Sequence, residues 1–191
     1  SEPGEAARLG GLAALRAEGV EIVECPLPDL PLAWICYSTI VRAEAATVHK
    51  EALAGDGAGF SAGVLAPMRA GQQITAVEYL EALQMRDRVK ADLAATLAGV
   101  DALILPTTAV TAPPRGQTDV AVTGGTMSVR EAVLGQTLPF SLCGLPALSV
   151  PSGFSEGLPL SLSLVGASGA DAATLGLGRW LEGRLDAMAK S

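Results

Sequence analysis

The stretch Thr137–Gly166, TLPFSLCGLPALSVPSGFSEGLPLSLSLVG, decides how this chain folds. It consists of strand-like apolar runs, yet Gly-Leu-Pro, Val-Pro-Ser-Gly and a second Gly-Leu-Pro interrupt them every few residues. Proline cannot donate to a strand ladder, and glycine reaches backbone angles closed to other residues. Each tripeptide therefore marks a turn or the entrance to a strand. We place strands at Ala147–Val150 and Leu160–Val165, each entered through a Gly-Leu-Pro turn.

Upstream lies a second anchor, Asp101-Ala102-Leu103-Ile104-Leu105-Pro106. It is continuously apolar after the aspartate, the pattern of a strand buried on both faces. The helix before it carries the clearest period: Met85, Val89, Leu93 and Leu97 repeat every fourth residue. Thr75 and Glu78 have the spacing of a capping box at its start, and Gly99 closes it. Further out, residues 5–19 read as a helix ending at Gly19, and VEIVECPL (Val20–Leu27) alternates like a strand before Pro26, Pro28 and Pro31 stop it. A helix fits Ala33–Leu53. Thr107 to about Thr126 reads as a long Pro/Thr/Gly-rich loop. Ser128 with Glu131 makes a second capping box, and a last helix from Asp171 carries Leu177, Leu181 and Leu185 on one stripe. Helices alternating with short apolar strands predict a single α/β unit in which helices cover a buried sheet.

Composition narrows the function. Of the 191 residues, 49% are hydrophobic and 17% charged, enough apolar material for a sizeable core. The net charge is -7, aromatic residues make up 4%, and the cations are scattered, which argues against a nucleic-acid groove. No apolar run reaches the ~18 residues of a membrane-spanning helix. The three cysteines, Cys25, Cys36 and Cys143, are odd in number and widely spaced, which fits reduced thiols in a cytoplasmic protein better than a disulfide framework or a zinc site. The chain opens Ser1-Glu2-Pro3-Gly4 without a methionine, which we read as a processed or truncated start.

Reaction centres are scarce. Gly59-Phe60-Ser61-Ala62-Gly63 matches the G-x-S-x-G of serine hydrolases, and a single histidine, His49, is available as a base. The motif follows a helix and a glycine loop rather than a strand, and His49 precedes the serine, the reverse of that fold's order. We read Ser61 as a loop residue and His49 as a residue near a helix C-terminus. The carboxylate pairs Glu78/Glu81 and Asp87/Asp92 fall on a solvated helix face. No residue of this chain is assigned a catalytic role, and no cofactor or metal is called for.

The blocks DALILPTTAVTAPP (Asp101–Pro114) and Thr137–Gly166 resemble the C-terminal part of the amidase signature family. The first shares Asp101, Leu103, Pro106, Thr107, Ala112 and Pro113 with the family pattern. The second shares Thr137, Pro139, Phe140, Gly144, Pro146, Ala147, Ser149, Pro151 and Gly153, and then Gly157, Leu158, Pro159 and Gly166. Glu44-Ala45-Ala46 and the helix from Tyr79 to Arg86 fit as well. The resemblance implies a mixed, largely buried sheet covered by helices, with residues 1–191 as the C-terminal portion of such a domain. It also implies hydrolysis of a carboxamide C–N bond through a Ser–cis-Ser–Lys triad, without a cofactor. The Gly/Ser-rich segment and lysine of that triad are absent here, so the triad is expected in a missing N-terminal segment, and the chain alone is expected to be inactive. Two departures bear on substrate: Ser141 and Ser163 stand where the family often has Asn and Gln. The charged pair by which the glutaminyl-tRNA amidotransferase branch holds glutamine falls on Pro67 and Leu134.

Ligand crevices in α/β folds form at loops that follow strands. That nominates Thr107, Thr108, Gln136, Thr137, Phe140 and Cys143 as substrate-binding, with an uncharged acyl group suiting them best. Loop hydrogen bonding for the threonines, and core packing for Phe140 and Cys143, are the competing readings. Expected partners are a small-molecule amide, the N-terminal remainder of the enzyme and another copy of the chain, with no nucleic acid or membrane. A non-catalytic binding or scaffold module on the same fold, and an amidotransferase A-type subunit, remain alternatives.

Overall fold

The computed structural model describes residues 9, 11–13, 15–27 and 30–188. The elements in order are α1 (Leu30–Val48), α2 (Lys50–Ala54), α3 (Ala62–Gly71), α4 (Ala76–Leu97), β1 (Leu103–Pro106), β2 (Asp119–Val122) and β3 (Gly125–Ser128). They continue with α5 (Val129–Leu134), α6 (Leu138–Cys143), β4 (Ala147–Ser155), β5 (Leu158–Val165) and α7 (Asp171–Met188). The expected first helix is present at 11–13 and 15–17 and ends at Gly19 with φ +79; its residues 5–8, 10 and 14 lie outside the described set, as does Pro28.

Three strands form one sheet in the order β1-β5-β4, and β2 and β3 form a separate hairpin. Both sheets are antiparallel, with Leu105 opposite Ser163 and Ser149 opposite the same serine. The alternation LSLSLV in β5 sorts side chains to the two faces. On one face Val165 and Leu103 meet Val89, Leu93, Leu97 and Phe140 from α4 and α6. On the other, Leu164 and Val150 meet Leu12, Leu15 and Leu181 from the N-terminal helical residues and α7. Helices therefore cover both faces, and the α/β class holds.

Local chemistry sets the boundaries. Thr75 Oγ1 accepts from the Glu78 N–H at 3.2 Å while the Glu78 carboxylate accepts from the Thr75 N–H at 2.7 Å, completing the capping box of α4. Ser128 caps α5 through the Glu131 N–H. Gly144 ends α6 in the left-handed region, at φ +67, where a Cβ would be strained. Gly71, in α3, packs so close to the Arg42 carbonyl of α1 that no Cβ fits between them.

Four expectations need correction. Val20–Leu27 forms no strand and joins no sheet, because no described strand lies along it to complete its hydrogen bonds. The helix expected over Ala33–Leu53 begins at Leu30 and is interrupted at His49, although the His49 N–H still bonds Ala45 O. The loop from Thr107 to Thr126 contains the β2–β3 hairpin, whose signal was Val120 and Val122 alternating ahead of Gly124-Gly125. The strand at Asp101–Pro106 is shorter and lies at the edge of its sheet, with Ile104 and Leu105 half-buried.

Candidate functional site

The polar residues at the end of β1 come together as a built cluster. The Thr107 N–H continues the ladder onto Ser161 O at 3.0 Å, which fixes the backbone just past Pro106. Its side chain then sits between two hydroxyls from the neighbouring strands. Ser163 Oγ donates to Thr107 Oγ1 at 3.1 Å, and Thr107 Oγ1 shares a hydrogen bond with Ser149 Oγ at 3.2 Å. Ser163 is 4% exposed, so its hydroxyl needs this partner, whereas Ser149 is exposed. Strands β4 and β5, and the residue that follows β1, thus contribute one hydroxyl each to a row across the sheet.

Gln136 holds the loop from the other side. Oriented so that its amide nitrogen donates, it spans Pro106 O at 2.7 Å and Thr108 O at 3.3 Å, one carbonyl on each side of Thr107. Thr108 turns its hydroxyl onto Val110 O at 2.7 Å. The Ala109 N–H bonds Ala132 O, tying the loop to α5. Thr137, at the start of α6, donates its hydroxyl to Leu134 O at 3.2 Å.

Of the six residues expected to bind substrate, Thr107, Thr108 and Gln136 are brought together and Thr137 follows Gln136 directly. Phe140 and Cys143, at 1% and 3% exposure, lie inside the apolar core beneath α6. Within this chain their side chains have no free surface, and they act on the loop by anchoring the helix after it. Burial pushes the Cys143 thiol up from its ordinary range, with Lys90 and Arg86 pulling weakly the other way. The thiol is a packing group, as is Cys36, which burial also pushes up. Ser149 and Ser163 were missed as cluster members, although the period-2 serines of β5 were the available signal.

The G-x-S-x-G motif builds nothing comparable. Ser61 precedes α3 at its N-cap position without making a side-chain cap bond. His49 meets the Phe60 ring edge-on at 5.1 Å, and among the described residues no hydrogen bond joins it to Ser61. No group of three or more His, Cys, Asp or Glu suited to a metal occurs among the described residues. No helix among them is long and apolar enough to cross a membrane.

Comparison with known proteins gives a consistent picture. The family model described as Amidase matches residues 4–175. The chain is 30% identical over 169 residues to a fatty acid amide hydrolase of Medicago truncatula, covering 84% of this chain and 27% of the relative. It is 32% identical over 189 residues to the A-type subunit of the glutamyl-tRNA(Gln) amidotransferase of Chloroflexus aggregans, covering 86% of this chain and 38% of that one. Among solved structures, an amidase superimposes with a TM-score of 0.89 at 40% identity, over 94% of this chain and 41% of its own. A 6-aminohexanoate cyclic dimer hydrolase superimposes with a TM-score of 0.77 at 25% identity, over 96% of this chain and 41% of its own. The chain therefore spans between a quarter and somewhat over two fifths of the length of these proteins.

Proposed function

Because the chain belongs to the amidase signature family, we propose that it is the C-terminal part of an amidase that hydrolyses a linear carboxamide C–N bond. The observation that carries this reading is the family match over residues 4–175, which contains both sequence blocks, the second of them running through α6, β4 and β5. In this reading the nucleophilic serine, its bridging serine and the lysine lie in a segment N-terminal to these residues. The Thr107–Thr108 loop, clamped by Gln136 and followed by Thr137, forms one wall of the substrate pocket.

The chemistry of that wall favours a neutral substrate. Its polar groups are hydroxyls and one carboxamide, which orient a carbonyl or amide through hydrogen bonds but offer no charge to a carboxylate. Substrate binding then turns on shape and hydrogen bonding rather than ion pairing. The acyl-transfer step itself needs an activated nucleophile and preorganised donors at the oxyanion, which this chain is not assigned.

The parent polypeptide should release ammonia or amine from neutral carboxamides. A serine-directed acylating reagent should label a serine outside these 191 residues. No hydrolysis across a panel of neutral amides, or labelling of Ser61, would sink the reading. A second reading, as an amidotransferase A-type subunit, is favoured by the amidotransferase relatives at 30–32% identity. Pro67 inside α3 and Leu134 at the end of α5 supply no charge for glutamine there. Glutaminase activity exceeding activity on neutral amides would select that second reading.

A further inference from the structure

The hydroxyl row at the end of β1 has a direction. A hydroxyl has one proton to donate and can accept twice. Ser163 Oγ gives its proton to Thr107 Oγ1 at 3.1 Å. The Thr107 proton then has one acceptor among the described residues, Ser149 Oγ at 3.2 Å. In the opposite arrangement Thr107 Oγ1 would accept twice, and its own proton would lack a partner on a half-buried side chain, which costs free energy. The row accordingly runs from Ser163 to Thr107 to Ser149, and the Ser149 proton is the one left over. Ser149 is exposed and has no other hydrogen-bond partner among the described residues, so that proton is offered to solvent or to a ligand.

The surroundings of Ser149 define what suits it. Its neighbours on β4, Leu148 and Val150, belong to the cluster that holds Leu181 of α7, which puts Ser149 on the opposite face of the sheet. On that face Val165 and Leu103 are covered by α4 and α6. The cover ends at the row: Ser163 is buried, whereas Ser149 and Pro151 are exposed and Ser161 is half-buried. This open floor adjoins the Thr107–Thr108 loop held by Gln136. No charged residue occurs in residues 103–114, in Ala147–Ser155 or in Leu158–Val165. An anionic oxygen would lose water there without gaining a cation from these strands, while a neutral oxygen loses far less and gains the Ser149 proton.

We propose that Ser149 is a specificity-determining residue whose hydroxyl donates to a neutral carbonyl or ether oxygen of the substrate, one other than the scissile carbonyl. Ser163 is a positioning residue: buried beneath the row, it holds Thr107 Oγ1 as an acceptor and so keeps the Ser149 proton directed outward. The proposal rests on the reading of the chain as part of an amidase. The scissile carbonyl is a poor match, because its developing oxyanion needs preorganised donors, and a single exposed hydroxyl is free to turn.

Matched pairs of neutral amides test this on the parent polypeptide: oxoalkanamides, with a ketone along the acyl chain, against alkanamides of equal length. Binding is read by calorimetry and cleavage by ammonia release. The ratio of oxo to plain amide, in binding and in kcat/KM, should fall roughly three- to tenfold in Ser149→Ala for at least one pair, the worth of one hydrogen bond. Ser149→Thr should keep most of that ratio. Ser163→Ala should lower it by a smaller factor, although a merely structural loss would weaken both members of a pair equally and leave the ratio unchanged. A ratio indifferent to Ser149→Ala across the panel overturns the proposal, and one indifferent to Ser163→Ala removes the positioning role. The two readings fail separately. A ratio that Ser149 controls in binding, with no member cleaved, refutes the amidase reading and leaves the Ser149 assignment standing. Cleavage of both members with a ratio indifferent to Ser149→Ala does the reverse, and a parent that neither binds nor cleaves any pair overturns both.

Discussion

At the scale of single residues, burial decides what each polar group contributes. Ser152 Oγ, at the irregularity in β4 between Pro151 and Gly153, is buried and has no hydrogen-bond partner among the described residues. An unpartnered buried hydroxyl costs the desolvation it never recovers, so Ser152→Ala should be neutral or stabilise by up to about 1 kcal/mol in chemical denaturation. Ser163 is the opposite case, because its hydroxyl is buried and bonded to Thr107. Ser163→Ala should cost about 1 kcal/mol and loosen Thr107. A double-mutant cycle with Thr107→Val should return a coupling of similar size, and additive losses would show that the hydroxyl row has no joint role. The cysteines separate in the same way: Cys25 is half-buried and should react first with iodoacetamide. Cys36 and Cys143, buried with their thiols pushed up, should react only on unfolding. The sequence showed Thr107, Thr108 and Gln136 as loop residues beside strands. It left core packing and substrate contact both open for Phe140 and Cys143, because a short apolar stretch does not record which neighbours cover it.

At the scale of elements, α4 shows how far local rules reach. Its cap, its period and its buried stripe of Val89, Leu93 and Leu97 were all legible, because each depends on neighbours within four residues. The cap also gives α4 a pH dependence with a defined sign. Backbone and side-chain hydrogen bonds from Thr75 hold the Glu78 carboxyl below the ordinary carboxylate range. A group whose value is depressed on folding stabilises above its unfolded value and loses that contribution as pH falls through its folded value. Glu78→Gln should therefore melt below the wild type at neutral pH, and the gap should close on acidification below the carboxylate range. A gap independent of pH would remove the charge from the account. The crossing of α1 and α3 rests on Gly71 against the Arg42 carbonyl, a contact between backbones that side-chain movement cannot relieve. Gly71→Ala should cost about 1–3 kcal/mol, read as a lowered melting temperature. No spacing rule exposed that contact, since the two residues belong to different helices.

At the scale of the whole molecule, the sheet is covered by helices on both faces, and among the described residues no strand pairs with the second side of β1. The N-terminal helical residues are fastened to α7 by Arg184, which pairs with Glu18 at 3.2 Å and lies 5.8 Å over the Trp180 ring. Both partners of that pair are well exposed, so Arg184→Ala should lower stability by no more than about 1 kcal/mol. Ser61→Ala in the parent polypeptide should leave amide hydrolysis unchanged, because the serine contacts no base among the described residues. Its complete loss would return the G-x-S-x-G motif to consideration.

The sequence by itself determined the helix caps, the apolar stripes, the Gly-Leu-Pro entrances to β4 and β5, and the family. These are properties of residues close along the chain, or of residue identity alone. Only the tertiary structure decided that Val20–Leu27 lacks a sheet, that β1 stands at an edge, and that Ser149, Thr107 and Ser163 share one row of hydroxyls. Strand pairing joins residues tens of positions apart, and β-patterning records only that a segment can pair, not whether a partner is present. The opening stretch thus carried both kinds of information: its turns were local and readable, while the neighbours of its strands were not.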